Sequence, residues 1–194
     1  MLHQLKNKNI ILASKSPRRQ ALLSGLDIDF TIDVRPIDEV YPDDIEAVKV
    51  PEYLAKLKAK AFEGEIEDND VLITSDTIVI LGDRILEKPK TEAEAKEMIR
   101  AMAGNTHTVV TGVAITLHSE QIVFSDHTQV TFTHLTEEEI DYYIEKYQPY
   151  DKAGAYGVQE WIGYVAIDKL EGSYYNVMGL PLHKLYAELK KINS

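Results

Sequence analysis

Apolar and polar positions change period several times along this chain. Ile10-Ile11-Leu12-Ala13 is a short unbroken apolar run, the pattern of a buried strand. Ser16 and Pro17 follow, a favoured N-cap and a proline suited to the first helical position, and Gly25 marks the end of that helix. Ile28 to Val34 alternates as a half-buried strand does. After Pro51, residues Leu54, Leu57, Lys58, Ala61 and Phe62 recur at helical spacing. Val71 to Thr74 reads as a buried strand, and Ile78–Leu81 and Arg84–Leu86 flank Gly82-Asp83 as the arms of a hairpin. Thr91 with Glu94, and Thr136 with Glu139, have the spacing of capping boxes; the first helix ends at Gly104 and the second near Lys146. Thr108 to Thr116 and Gln121 to Phe132 are two long strands, Trp161 to Leu170 another. Met178 to Ile192 reads as a closing helix with Lys184, Lys190 and Lys191 placed for its dipole.

This order is mixed and lacks the regular βα alternation of a Rossmann or barrel fold. It predicts one α/β domain over residues 1–194, with two lobes around a cleft. Neither repeats nor a Pro/Gly/Ser-rich linker interrupt it. At 194 residues the chain can bury a core without staples, and its lack of cysteine excludes disulfides, thiolate metal sites and cysteine nucleophiles. A net charge of −11 argues against a nucleic-acid polymer or an anionic membrane surface as partner. It leaves room for a small anionic ligand held by a few local cations. No segment has the roughly 18 apolar residues of a membrane span. The amino-terminal apolar run is too short for a secretory signal, so a cytoplasmic protein is expected.

Neither common glycine-rich phosphate loop is present, nor a metalloprotease or nucleophile-elbow motif, and the six histidines form no metal-ligand spacing. Five other segments carry candidate chemistry. Ser14-Lys15-Ser16-Pro17-Arg18-Arg19 sets two hydroxyls and three cations on a strand-to-helix turn, where free backbone N–H groups favour anions. Against this stands a capped helix with a solvated basic face. Thr74-Ser75-Asp76-Thr77 places an aspartate at the end of a buried strand, as a general base, a metal ligand or a plain turn residue. Lys88, stiffened by Pro89, can neutralise phosphate or be an ordinary surface lysine. In Asp151-Lys152-Ala153-Gly154-Ala155-Tyr156-Gly157-Val158-Gln159, small residues permit close backbone approach and Gln159 can read a base edge. Gly172 to Pro181 is a further small-residue turn. Nine of the eleven tyrosines lie from Tyr142 onward, suited to an interface, to stacking or to an amphipathic core.

Leu12-Ala13-Ser14-Lys15-Ser16-Pro17-Arg18-Arg19 closely resembles the opening signature of the Maf proteins, septum-formation-related nucleotide pyrophosphatases. The likeness continues in order through Asp38-Glu39, Leu54-Ala55-Lys56-Leu57-Lys58-Ala59, Ser75-Asp76-Thr77-Ile78-Val79 and Glu87-Lys88-Pro89. It extends through Thr111-Gly112-Val113-Ala114, Asp151 to Gln159, and Val177-Met178-Gly179-Leu180-Pro181. The resemblance implies an elongated α/β fold with a mixed twisted sheet and a central cleft, similar to inosine triphosphate pyrophosphatases. It implies hydrolysis of a nucleoside triphosphate to monophosphate and pyrophosphate with a divalent cation, Mg²⁺ or Mn²⁺. Asp76 aligns with the family's base, and Ser14, Arg18, Glu39, Lys58, Lys88 and Gln159 with its other polar positions. Asp76 and Glu39 would hold the metal.

Arg18, Thr77 and Gln159 follow the subgroup pattern that prefers dTTP and UTP, with Thr77 and Gln159 at the pyrimidine. The alternatives are 7-methyl-GTP or another non-standard nucleotide, and a nucleotide-binding regulator of septum formation without turnover. A homodimer is compatible with the family. Glu160 and Trp161 depart from the small residues frequent after the glutamine, which bears on base selectivity or cleft access.

Overall fold

The computed structural model describes residues 2–192. In chain order the elements are β1 (Asn9–Leu12), α1 (Pro17–Ser24), β2 (Thr31–Ile32), α2 (Val50–Lys60), β3 (Asp70–Leu81), β4 (Arg84–Leu86) and α3 (Glu92–Met102). They continue as β5 (Thr106–Thr116), β6 (Gln121–Phe132), α4 (Glu137–Tyr147), α5 (Trp161–Ala166), β7 (Ile167–Glu171), α6 (Tyr174–Met178) and α7 (Leu182–Leu189). The strands form a seven-stranded sheet in the order β2-β1-β3-β5-β6-β7, with β4 paired to β3. Pairing is parallel between β1 and both β2 and β3, and antiparallel between β3 and β4 and between β6 and β7. The sheet is therefore mixed, as the resemblance implies. Among the described residues no helix is long and apolar enough to cross a membrane.

Two compact units share the chain. The first comprises Met1–Asp76, Thr111–Asp126 and Gly179–Ser194; the second comprises Thr77–Val110 and His127–Met178. In the first, β1 and β3 run in register from Asn9↔Asp70 to Leu12↔Ile73. Leu12, Leu23, Ala55, Leu72, Ile73, Ile115, Leu185 and Leu189 are fully enclosed. In the second, Val79, Ile99, Met102, Val130, Phe132, Ile140, Tyr143, Ile144 and Tyr156 belong to one buried cluster.

Several sequence expectations change in instructive ways. The two short strands read around Ser75-Asp76-Thr77 are one 12-residue strand, β3, buried along almost its whole length. Its polar residues find partners inside: the Thr74 hydroxyl donates to the Ala55 carbonyl at 2.7 Å. Asp76 is therefore a mid-strand residue and not a turn residue. The strand read from Trp161 to Leu170 is α5 followed by β7. Ile162 and Ala166 are both buried at i, i+4, a helical stripe hidden in an apolar run too short to settle its period. The long closing helix is split: α6 stops at Met178, Gly179 takes φ +109°, and Pro181 opens α7. Only Thr31–Ile32 pairs in the segment read as a strand from Ile28 to Val34.

Thr136 and Glu139 form the expected reciprocal capping box. Thr91 caps α3 by accepting from Glu94 N–H, but the Glu94 carboxylate takes the Lys90 N–H at 2.6 Å, so this box is half made. The Gly82-Asp83 hairpin is present, with Leu81 opposite Arg84.

Two packing features yield predictions. A Cβ on Gly112 would lie 2.3 Å from both the Pro51 carbonyl carbon and the Glu52 nitrogen, backbone atoms at the start of α2. Gly112→Ala should cost about 3 kcal/mol or more in urea unfolding, as overpacking against rigid backbone does. Gly82→Ala, where φ is +58° but the space is open, should cost about 1 kcal/mol. Equal losses would show that the α2–β5 contact yields easily.

The second feature is His107, 1% exposed, whose Nε2 hydrogen-bonds the Tyr156 hydroxyl at 2.8 Å while its ring meets Phe132 edge-on. Desolvation lowers its pKa from 6.5 to about 4. Below pH 6.5 the unfolded chain takes a proton that the folded ring refuses until about pH 4, so stability falls with pH across that window. His107→Gln should flatten the pH dependence of the urea midpoint between pH 6.5 and 4.5 by up to about 1.4 kcal/mol per pH unit. An unchanged slope would overturn this assignment.

Candidate functional site

In the first unit, β1 ends at Leu12 and the chain turns into α1 through a buried Ser14. Ser14 Oγ accepts the Ser16 N–H at 3.2 Å, and Ser16 Oγ caps α1 at the Arg19 N–H. Pro17 occupies the first turn, where its missing N–H is harmless. Arg18 and Arg19 are thus fixed on the first turn of a helix, both half-buried.

Arg19 binds backbone at two distant points. Its Nη1 donates to the Ser75 carbonyl at 3.0 Å and its Nε to the Gly179 carbonyl at 2.8 Å. Desolvation lowers its pKa, with Arg18 acting in the same direction, while Asp76 and Glu39 raise it. These charges therefore share one neighbourhood.

Lys58 reaches Asp76 from α2. Its Nζ lies 2.6 Å from Asp76 Oδ1 and 3.1 Å from Glu39 Oε1, and it donates to the Ser75 carbonyl at 3.5 Å. Glu39 comes from the segment after β2 and is exposed, whereas Asp76 is 8% exposed. The parallel pairing of β3 with β1 ends at Ile73, so Thr74, Ser75 and Asp76 run on past the end of β1.

The second unit holds the other expected residues. Thr77 follows Asp76 on β3 and is half-buried; Lys88 is exposed on the segment after β4. Gln159 ends the 151–159 loop. Its Nε2 lies 3.0 Å from where a Gly157 Cβ would stand, and its Oε1 is buried with no hydrogen-bond partner. The loop is anchored to the Lys88 segment by the Gly154 N–H, which donates to the Glu87 carbonyl at 3.1 Å. Ala155 is fully buried at φ +58°, a left-handed conformation that costs an alanine about 1–2 kcal/mol. Surrounding contacts must over-determine such a loop.

Of the expected residues, the first unit brings together Asp76, Lys58 and Glu39, with Ser14 and Arg18 on the α1 turn. In the second, Lys88 and Gln159 lie on segments joined by one backbone hydrogen bond. The family motif points to Arg18, whereas it is Arg19 that ties α1 to β3. Its signal was present in the paired arginines of the motif, but not the choice between them. Glu160 and Trp161 both turn to α4: Trp161 meets Tyr142 edge-on at 5.0 Å between centroids, and the Glu160 carboxylate accepts from Tyr143. No group of three or more His, Asp or Glu side chains among the described residues forms a ready metal cage.

Comparison with known proteins identifies the family. The family model described as Maf-like protein matches residues 9–192. A dTTP/UTP pyrophosphatase of Porphyromonas gingivalis is 55% identical over 193 residues, covering 98% of this chain and 97% of that one. Proteins of the same name from Flavobacterium johnsoniae and Bacteroides thetaiotaomicron are 50% and 49% identical, covering 96% and 99% of this chain and 96% and 100% of theirs. Among solved structures, the Ham1 protein of Staphylococcus aureus is similar in fold, with a TM-score of 0.53 at 15% identity, covering 95% of this chain and 100% of that one. A match over nearly the whole chain, with the family's ordered motifs gathered around Asp76 and along the 151–159 loop, means that this chain belongs to the Maf family.

Proposed function

We propose that this protein is a nucleoside triphosphate pyrophosphatase acting on dTTP and UTP, releasing the monophosphate and pyrophosphate. The observation that carries this reading is the Asp76–Lys58–Glu39 cluster, a carboxylate fixed by a cation beside an arginine-bearing helix turn. Full-length relatives bearing the name dTTP/UTP pyrophosphatase support the choice of substrate.

Phosphoryl chemistry asks a protein mainly for positioning and charge stabilisation. Water attacks the α-phosphorus, and the Asp76 carboxylate orients it and takes its proton. Lys58 holds that carboxylate in place through Oδ1. Arg18 and Lys88 neutralise charge on the phosphates, and the Ser14 hydroxyl at the positive end of α1 donates a hydrogen bond to them. Arg19 keeps the α1 turn and the β3 backbone in fixed relation. Thr77 and Gln159 read the pyrimidine, and the unpartnered Gln159 Oε1 is an acceptor available for an imide N–H.

Asp76 and Glu39 fit a divalent cation, because their oxygens converge on one cation, the Lys58 ammonium. Mg²⁺ characteristically takes one or two carboxylates and completes its shell with water and phosphate oxygens. Such an ion would supply charge neutralisation at the phosphates. We place the protein in the cytoplasm, where its substrates occur.

Pyrophosphate release from dTTP, UTP, CTP, GTP and 7-methyl-GTP, with Mg²⁺ or Mn²⁺, tests the reading. The protein should turn over dTTP and UTP, and Asp76→Asn should lower kcat roughly 10²–10⁴-fold. Near-full turnover by Asp76→Asn would remove Asp76 as the base. Preference for 7-methyl-GTP would move the chain to another specificity, and nucleotide binding without any release would make it a regulator. Gln159→Ala should raise KM for dTTP about tenfold and narrow the dTTP-to-GTP ratio, as losing one polar base contact does. An unchanged ratio would remove Gln159 from base reading.

A further inference from the structure

The Glu160 carboxylate, just after the 151–159 loop, binds two partners from different segments of the chain. One oxygen accepts the Tyr143 hydroxyl from α4, and the other lies 3.1 Å from the buried Lys152 Nζ. Lys152 also pairs with Asp151 at 2.8 Å. The Tyr143 oxygen in turn accepts the Gly157 N–H at 3.1 Å. Burial, and then the Glu160 carboxylate, push the Tyr143 phenol far above its ordinary pKa, so it remains a donor. Lys152 and Gly157 lie in the 151–159 loop and Glu160 just after it, so one carboxylate ties both ends of the loop to a single buried hydroxyl.

Gly157 shows how this reaches Gln159. A Cβ there would lie 2.8 Å from Glu160 Cδ and 3.0 Å from Gln159 Nε2. The carboxylate and the amide therefore rest against the same bare Cα. The backbone between them is closed by the Glu160 N–H donating to the Gly157 carbonyl at 3.0 Å. Ala155, strained and fully buried, sits within the same loop.

We propose that Glu160 is a positioning residue: through Tyr143, Lys152 and Gly157 it holds the Gln159 amide in one orientation, and so sets affinity for the pyrimidine without touching it. This rests on the reading of Gln159 as the base contact. Glu160 is then a rigidifying device of this loop, distinct from any contact with the base itself.

A double-mutant cycle on the full-length enzyme tests this, reading KM and kcat for dTTP together with thermal midpoints. Glu160→Ala should raise KM about tenfold and leave kcat within about twofold, the mark of lost ground-state binding. Glu160→Gln, which keeps an acceptor for Tyr143, should recover most of that loss. In the Gln159→Ala background, Glu160→Ala should change KM less than about twofold while lowering the thermal midpoint as much as in the parent. Additive effects on KM, or a fall in kcat alone, overturn the proposal. A Gln159→Ala protein with unaltered KM overturns instead the base-contact reading on which it stands. Should Glu160→Ala not fold, Tyr143→Phe enters the same cycle with the same expectation.

Discussion

A carboxylate in the middle of a strand buried along nearly its whole length is the constraint on which the first unit is organised. A charge at that depth is unfavourable unless paired and hydrogen-bonded. Lys58 supplies the pair from α2, at 2.6 Å, and binds Glu39 with the same ammonium. Its placement follows from the packing of α2, where Leu54, Ala55 and Ala59 are buried and Ala55 accepts the Thr74 hydroxyl from β3 itself. The contacts that settle α2 against β3 thus also carry Lys58 to Asp76. Arg19 adds a second tie by binding the backbone carbonyl of Ser75, the residue before Asp76. The charged groups are held by the fold, and such preorganisation makes electrostatic stabilisation effective at the moment of reaction.

The loop ending in Gln159 solves a different problem. It contains a left-handed alanine and several residues without long side chains, and it lies largely buried. Ala155, Tyr156 and Val158 seat it in the apolar core of the second unit. Hydrogen-bond anchors add to this, among them the Gly154 N–H to the Glu87 carbonyl, the neutral His107–Tyr156 pair, and Glu160, which binds both Lys152 and Tyr143. The last two place the rings of Tyr156 and Tyr143 in the core of the second unit. Strain at Ala155 can persist because these anchors leave the chain no relaxed alternative.

Which features were legible in the sequence follows from how local their causes are. The β3–β4 hairpin, the cap at Ser16, the box at Thr136 and the two long strands β5 and β6 all depend on residues within a few positions of one another. The candidate residues were legible through their ordered motifs, while the ion pair between Lys58 and Asp76 appears only in the structure. Long-range causes stayed hidden. Ser75-Asp76-Thr77 looks like a turn until the Thr74 hydroxyl and Lys58 are seen to satisfy a continuous strand. Trp161 to Ala166 has the composition of a strand, and only the joint burial of Ile162 and Ala166 makes it helical. Arg19 could be told from Arg18 only by the carbonyls it reaches at Ser75 and Gly179. For Glu160, sequence showed the departure but not its direction, because Tyr143 lies 17 positions away.

The net charge of −11 sits oddly with a polyanionic substrate until the charges are placed. Much of the surface pairs its own cations: Arg35 with Asp33 and Glu65, Lys96 with Glu92 and Asp141, Arg100 with Glu137. Exposed charges farther apart than about 8 Å are largely screened at physiological salt, so the distant carboxylates matter little to a bound phosphate. Around Asp76, Arg18, Arg19 and Lys58 face Asp76 and Glu39, a surplus of one positive charge. That surplus suffices to orient an anion but not to neutralise a triphosphate, which carries several negative charges. That shortfall is what the divalent cation of the proposed reading would make up. Under the proposed reading two carboxylates have a place in an anion site: they hold Lys58 beforehand, and would offer oxygen ligands to a metal arriving with the phosphates.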